Sequence, residues 1–240
     1  QQLVNGLMLG GVYVMVAVAF TLIIGMLNFL NFTIPALFMF AAVLMYATMM
    51  GQLPFGNEII LSIFGTEYRW IAGVMVALVV VAIISLVIER FTYRYMKAKY
   101  GDATEHALPL VSSLGFLIIF EHFVVSTWGS DPLTAVSPFG KGTFSIGTII
   151  FSVPQIVSLF LSLIVVIMLS IMLKATKLGR ALRSIAEKPD TAILMGVEVG
   201  RIVPIVYVIT GLLCAISGVL FTINYSTVDA YVGDTVATVA

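Results

Sequence analysis

The chain has 240 residues, with twelve basic and twelve acidic side chains. Hydrophobic residues make up 60% of it and charged residues 10%, against roughly a quarter charged in a soluble domain, and the mean hydropathy is +1.12. So little charge excludes a water-soluble fold and makes lipid the solvent for most of the chain, while the neutral balance argues neither for nor against a nucleic-acid partner.

A hydrocarbon core about 30 Å thick needs about 20 apolar residues in a helix. Runs 3–27, 33–50, 70–88, 149–173 and 202–224 meet that test without a charge, and 108–128 meets it with one acid, Glu121. Strands of an outer-membrane barrel would instead be short and alternating. The sequence therefore predicts an all-α polytopic membrane protein, a bundle of about six transmembrane helices. The first run lacks a basic n-region and leads straight into a second span, so no cleaved signal peptide is expected. With no initiator Met, and with TVATVA ending at residue 240 in apolar sequence, the chain is expected to be truncated at both ends, with further spans beyond. Gly6 and Gly10 mark a small-residue face for close helix packing.

Between the first two runs, NFLNFTIP places polar Asn28, Asn31 and Thr33 before Pro35. Pro35 fits the first turn of a helix, with Asn31 or Thr33 as its cap. A helix start at membrane depth offers free N–H groups to a carboxylate; a capped turn at the interface fits the same residues. Tyr68 and Trp70 read as interface anchors.

Arg90, Arg94, Lys97 and Lys99 form one basic cluster, and Lys174, Lys177, Arg180, Arg183, Lys188 and Arg201 form another. Two runs separate them, so both fall on one side, and positive charge marks that side as cytoplasmic. The N-terminus and loops 51–69 and 129–148, with Arg69 and Lys141, then lie outside. Glu121–His122 is an ionisable pair inside a span, a functional candidate by its cost of burial. Its nearness to Trp128 and Gly129 places it towards the outer interface, which favours a structural role over a proton-linked one.

Segment 174–201 is amphipathic. Leu178, Leu182 and Ile185 share one helical face, and Arg180, Arg183 and Glu187 another. Pro189 ends that helix and begins a second, with Asp190 at its positive end and Gly196 as its stop. The predicted product is a bent pair of short helices on the cytoplasmic face. Cys214 reads as a small packing residue in a span. No P-loop, zinc-binding motif or nucleophile elbow occurs, so no catalytic residue and no metal site is expected.

LGRALRSIAEKPDTAILMGV (178–197) resembles the cytoplasmic coupling segment of branched-chain amino-acid ABC importer permeases. That family's pattern is close to L-G-R-A-x-R-A-x-A-E-D-x-x-x-A-x-x-x-G. Leu178, Gly179, Arg180, Ala181, Arg183, Ala186, Glu187, Ala192 and Gly196 match, and Lys188 stands at the acidic position. The opening thirty-two residues, IERFTYRYMK (88–97) and GVLFTINYSTVDAYVG (218–233) are similar to other parts of the same permeases. Of the two sister permeases in such importers, the chain resembles the one carrying N-F-A-H-G. Two departures stand out: Ile34–Pro35 replaces His-Gly there, and Asp229–Ala230–Tyr231 replaces Asn-Pro-Tyr.

The resemblance implies a single transmembrane permease domain over 1–240, multi-pass in a prokaryotic inner membrane. Residues 174–201, above all Leu178, Gly179, Arg180, Arg183, Glu187, Lys188, Pro189, Asp190 and Gly196, would couple it to a separate ATPase. It also implies two cytoplasmic ATPases holding ATP and Mg, a sister permease or second copy of this chain, and an extracytoplasmic solute-binding protein. No cofactor on this chain and no nucleic acid are implied. Asn28, Asn31, Thr33, Tyr225, Asp229 and Tyr231 are the candidate translocation residues. Branched-chain amino acids are the leading solutes, ahead of urea, amides and aromatic acids. The competing classes are a stand-alone secondary transporter using Glu121 and His122, and a membrane scaffold.

Overall fold

The computed structural model describes residues 2–27, 29–53, 68–95, 107–134, 143–146, 149–225 and 227–239. Among them, six helices are long and apolar enough to cross a membrane. These are α1 (Gln2–Leu27), α2 (Thr33–Met50), α3 (Arg69–Glu89), α4 (Ala107–Trp128), α5 (Val153–Ala175) and, after the short helices α6 (Lys177–Glu187) and α7 (Pro189–Leu194), α8 (Val199–Tyr225). A last helix, α9, spans Val232–Val239. The all-α polytopic architecture read from the apolar runs is the one found.

One boundary differs. The run 149–173 does not begin as helix: Ile149–Ser152 pairs antiparallel with Thr143–Ile146, and α5 starts at Val153. Apolar length alone cannot separate a short strand from a helix. The start signal lies inside the run, where Ser152 donates its backbone N–H to Gln155 Oε1 at 3.4 Å. Pro154 occupies the first turn of α5, where no N–H is required. A second, two-residue pairing joins Leu133–Thr134 to Thr227–Val228.

Helix α2 is the centre of the bundle, with every residue from Thr33 to Thr48 buried. Helices α3, α4 and α8 pack around it, and α1 packs on α8 and α5. The α8–α2 crossing is close because of Gly218: a Cβ there would sit 2.5 Å from the Phe38 carbonyl oxygen. One turn on, Thr222 donates to the Ala42 carbonyl at 3.2 Å. Ser217 donates to the Val12 carbonyl at 2.9 Å and ties α1 to the same helix. In hydrocarbon, where apolar burial gives no net drive, such close packing and interhelical bonding hold helices together.

Gly6 and Gly10 form no packing face among the described residues, since a Cβ on either would meet none of them within 4 Å. Their neighbour Gly11 makes the close approach instead, against Ser162 of α5. Small-residue spacing fixes a helix face but leaves its rotation towards a neighbour open.

At one end of the bundle Trp128 donates its indole N–H to the Gln52 carbonyl at 3.2 Å. There the Arg69 guanidinium lies over Gly51, whose φ of 68° closes α2. A cation beside the negative end of a helix is favourable, which accounts for a lone arginine opposite the basic clusters. At the other end α3 runs into a π-helical turn, Arg90–Arg94, and α6 and α7 precede α8. Ser85 of α3 bonds the backbone of Tyr207, two turns into α8, so both described basic groups share one end. Lys97, Lys99, Lys141 and Asn28 lie outside the described residues.

Candidate functional site

The bent helix pair predicted in 174–201 is present. Thr176 caps α6, its hydroxyl oxygen accepting from the Gly179 N–H at 3.2 Å. Lys188 is extended, at φ −152° and ψ 104°, as the residue before proline must be. Pro189 opens α7, and Gly196 follows its end with φ 84°. Only glycine takes that conformation without cost.

The faces of α6 are nearly as expected. Leu182 and Ile185 are buried with Gly179, while Leu178 sits half-buried at the edge. Gly179 has an internal role: a Cβ would overlap the backbone of Leu173 at the end of α5. Arg180, Arg183, Glu187 and Lys188 are exposed. Arg183 nevertheless turns back, its Nη1 donating to the Leu173 carbonyl at 2.7 Å. It therefore fastens α6 to α5 besides carrying charge.

Sequence reading missed the tip of α7. Ala192 is buried, whereas Ile193, Leu194 and Met195 project outwards, Leu194 at 85% and Met195 at 82% exposure. Three consecutive apolar residues between Pro189 and Gly196, in an otherwise polar segment, were the available signal. An exposed apolar cluster of this kind marks a contact with another protein or with a membrane surface.

The polar break before α2 is sealed. Asn31 is fully buried; its Oδ1 accepts from the Thr33 N–H at 3.0 Å and the Thr33 hydroxyl at 2.6 Å, and its Nδ2 donates to Tyr207 Oη at 3.3 Å. The Phe32 N–H donates to Ser113 Oγ at 3.1 Å. Ser113 is six residues into α4, so the break lies about 9 Å inside that helix's end. The cap position itself falls to Phe32, not to Asn31 or Thr33; Asn31, one residue earlier, takes the first N–H of α2, and the turn lies within the bundle.

After α8 the chain turns back. Leu133, partner of Val228, packs beside Tyr46 and Ala47, yet Gly233 approaches the Pro35 carbonyl, with a Cβ position 3.0 Å from it. Segment 227–239 is therefore re-entrant along α2. Tyr225 and Tyr231 are exposed, and Tyr225 stacks on Phe221 at 4.8 Å. Asp229 is half-buried, and its Oδ1 and Asn224 Oδ1 have no hydrogen-bond partner among the described residues.

Glu121 and His122 part company. His122 is exposed and, with its proton on Nδ1, donates to the Ile118 carbonyl at 3.1 Å. Glu121 does not reach water at the outer interface, as its position near Trp128 suggested. It is only 9% exposed, and its Oε1 has no hydrogen-bond partner among the described residues, because residue 121 points inwards on α4 and residue 122 outwards.

A family model described as the permease component of branched-chain amino acid transport systems matches residues 2–240. The chain belongs to that family. It is 25% identical over 241 residues to the high-affinity branched-chain amino acid transport system permease protein LivH of Escherichia coli K12, covering 97% of this chain and 73% of that protein. LivH of Salmonella typhimurium LT2 is 24% identical with the same coverage. The corresponding permease BraD of Pseudomonas aeruginosa is 24% identical over 237 residues, 97% and 74% of the two chains. No solved structure matches.

The chain is accordingly a multi-pass inner-membrane permease of an ATP-driven importer, not an enzyme. Permeases of this family work with ATPase and binding-protein partners.

Proposed function

We propose that this permease carries branched-chain amino acids inwards, and that two cytoplasmic ATPases, hydrolysing ATP with Mg, grip it through α6 and α7. The observation that supports the coupling is the exposed apolar tip Ile193–Met195 on a helix pair fastened to α5 by Arg183 and Gly179. Arg180, Glu187 and Lys188 would surround that tip with charge, and Leu178 would steady it from the permease side. The names of the relatives support the solute class.

A sister permease or a second copy of this chain completes the pathway, and an extracytoplasmic binding protein delivers the solute. Tyr225, Asp229 and Tyr231 would line the route at the outer end. Asn31 and Thr33 would join it only when the start of α2 parts from Tyr207. The test is solute uptake into proteoliposomes, with and without the ATPases. Uptake of leucine, isoleucine or valine that requires ATP supports the proposal. Uptake without an ATPase rejects the coupling, and a binding protein stabilised only by urea, amides or aromatic acids rejects the solute.

A further inference from the structure

Helix α5 rests mainly on α1, where its Ser162 closes on Gly11, and only lightly on α8. Between α3, α5 and α8 this leaves a cavity of about 330 Å³. Valines line it from all three helices: Val74 on α3, Val157 and Val165 on α5, and Val219 on α8. Their side chains are too short to meet across it. Val157 and Leu161 are also exposed, so the cavity opens at the surface beside α5. Val219 and Leu220, each 4% exposed, form its floor.

The lining runs from Trp70 to Leu78 on α3, from Pro154 to Val165 on α5 and from Ile216 to Ile223 on α8. In helices these stretches are roughly 10–16 Å long, which is the depth of one leaflet when the hydrocarbon core is about 30 Å thick. Trp70 at the start of α3, Pro154 in the first turn of α5 and Ile223 near the end of α8 mark the shallow end. A tryptophan there sits at headgroup level. That end is opposite the basic groups, so the leaflet is the outer one.

Native interiors hold few voids larger than a water molecule, so a space of this size has an occupant. Water does not suit it. A buried water needs about two to four polar partners, and every lining side chain is apolar except for the indole N–H of Trp70 at the mouth. Apolar cavities of about 150 Å³ stay dry and take up apolar molecules instead. Around this cavity the apolar molecule at hand is lipid, and an apolar lining one leaflet deep, open at the side, has the shape of a single hydrocarbon chain. We infer that the cavity binds one acyl chain of an outer-leaflet phospholipid, which holds α5 apart from α3 and α8. The site is separate from the α6–α7 elbow and independent of which solute is carried.

The test uses the importer complex, without added solute, in vesicles of phosphatidylethanolamine and phosphatidylglycerol. A trace of phospholipid carries a diazirine at a chosen depth of one acyl chain. Illumination followed by peptide mass spectrometry should place adducts on Val219 and Leu220, which lipid on the outer surface of the bundle cannot reach. Adducts should move along α8 from Ile223 to Ile216 as the diazirine moves from near the glycerol to the end of the chain. Leu161→Trp, which fills the opening, should cut the adducts on Val219 and Leu220 about tenfold. Ile164→Trp, on the exposed face of α5, should leave them unchanged. Absence of adducts from both floor residues in the wild type, as when another subunit or another part of this chain covers them, would overturn the inference. So would the reverse order along α8, which puts the chain in the inner leaflet, or adducts indifferent to Leu161→Trp. The wild-type pattern alone decides the question if a tryptophan variant fails to fold.

Discussion

The Arg183 guanidinium reaches back ten residues to donate to the Leu173 carbonyl at 2.7 Å. This bond and the Gly179–Leu173 contact join α6 to the end of α5. A charge-assisted bond contributes about 1.5–3 kcal/mol, at the lower end when exposed. Arg183→Ala is therefore expected to leave membrane insertion and helix content unchanged but to separate ATP hydrolysis from uptake. The check is the ratio of solute transported to ATP consumed, which should fall; an unchanged ratio would show that the bond transmits nothing.

Gly179→Ala should be far more damaging than its size suggests. The added methyl overlaps the Leu173 backbone, and overpacking costs about 1–3 kcal/mol. Gly6→Ala, with open space around it, serves as the matched control. Thermal unfolding in detergent should fall for the first and stay put for the second.

Leu194→Asp or Met195→Asp should not disturb the permease alone, because both side chains project away from it. Such a charge at a buried contact costs several kcal/mol unless paired. Co-purification with the ATPase is expected to drop sharply while the permease keeps its unfolding temperature. Full retention of the ATPase would remove the tip of α7 from the interface.

Asn31→Ala deletes the acceptor that holds both the N–H and the hydroxyl of Thr33, and takes one partner from Tyr207. Leaving a buried donor unmatched costs about 1–3 kcal/mol. Asn31→Ser keeps an uncharged acceptor for the Thr33 N–H, so it should lose less stability in the same unfolding assay.

Most of the helical frame was legible because spans need long uninterrupted apolar runs, and the bent pair was legible because Pro189 and Gly196 each dictate local backbone geometry. The start of α5 was not, since Ile149–Phe151 suit strand and helix alike and the decision falls to Ser152 and Pro154. Rotation about helix axes was equally hidden. Gly11 rather than Gly10 meets α5, and Glu121 rather than His122 turns inwards, because neighbours choose the buried face. The bond from Asn31 to Tyr207 joins residues 176 positions apart, a separation at which local pattern carries no signal. The apolar tip of α7 could be seen in sequence but not distinguished from a buried turn.

The close crossings at Gly218 and at Ser85–Gly211 lock α2, α3 and α8 together, whereas α5 leaves most of its length unburied among the described residues and rests mainly on α1. The subunit thus has a stator and an outboard strut, and the cytoplasmic elbow is bolted to the strut. A power stroke delivered at that elbow would swing the strut while the stator stands still. Paired spin labels on α5 and α8 should then report a distance that changes with nucleotide, and a pair on α2 and α8 one that does not.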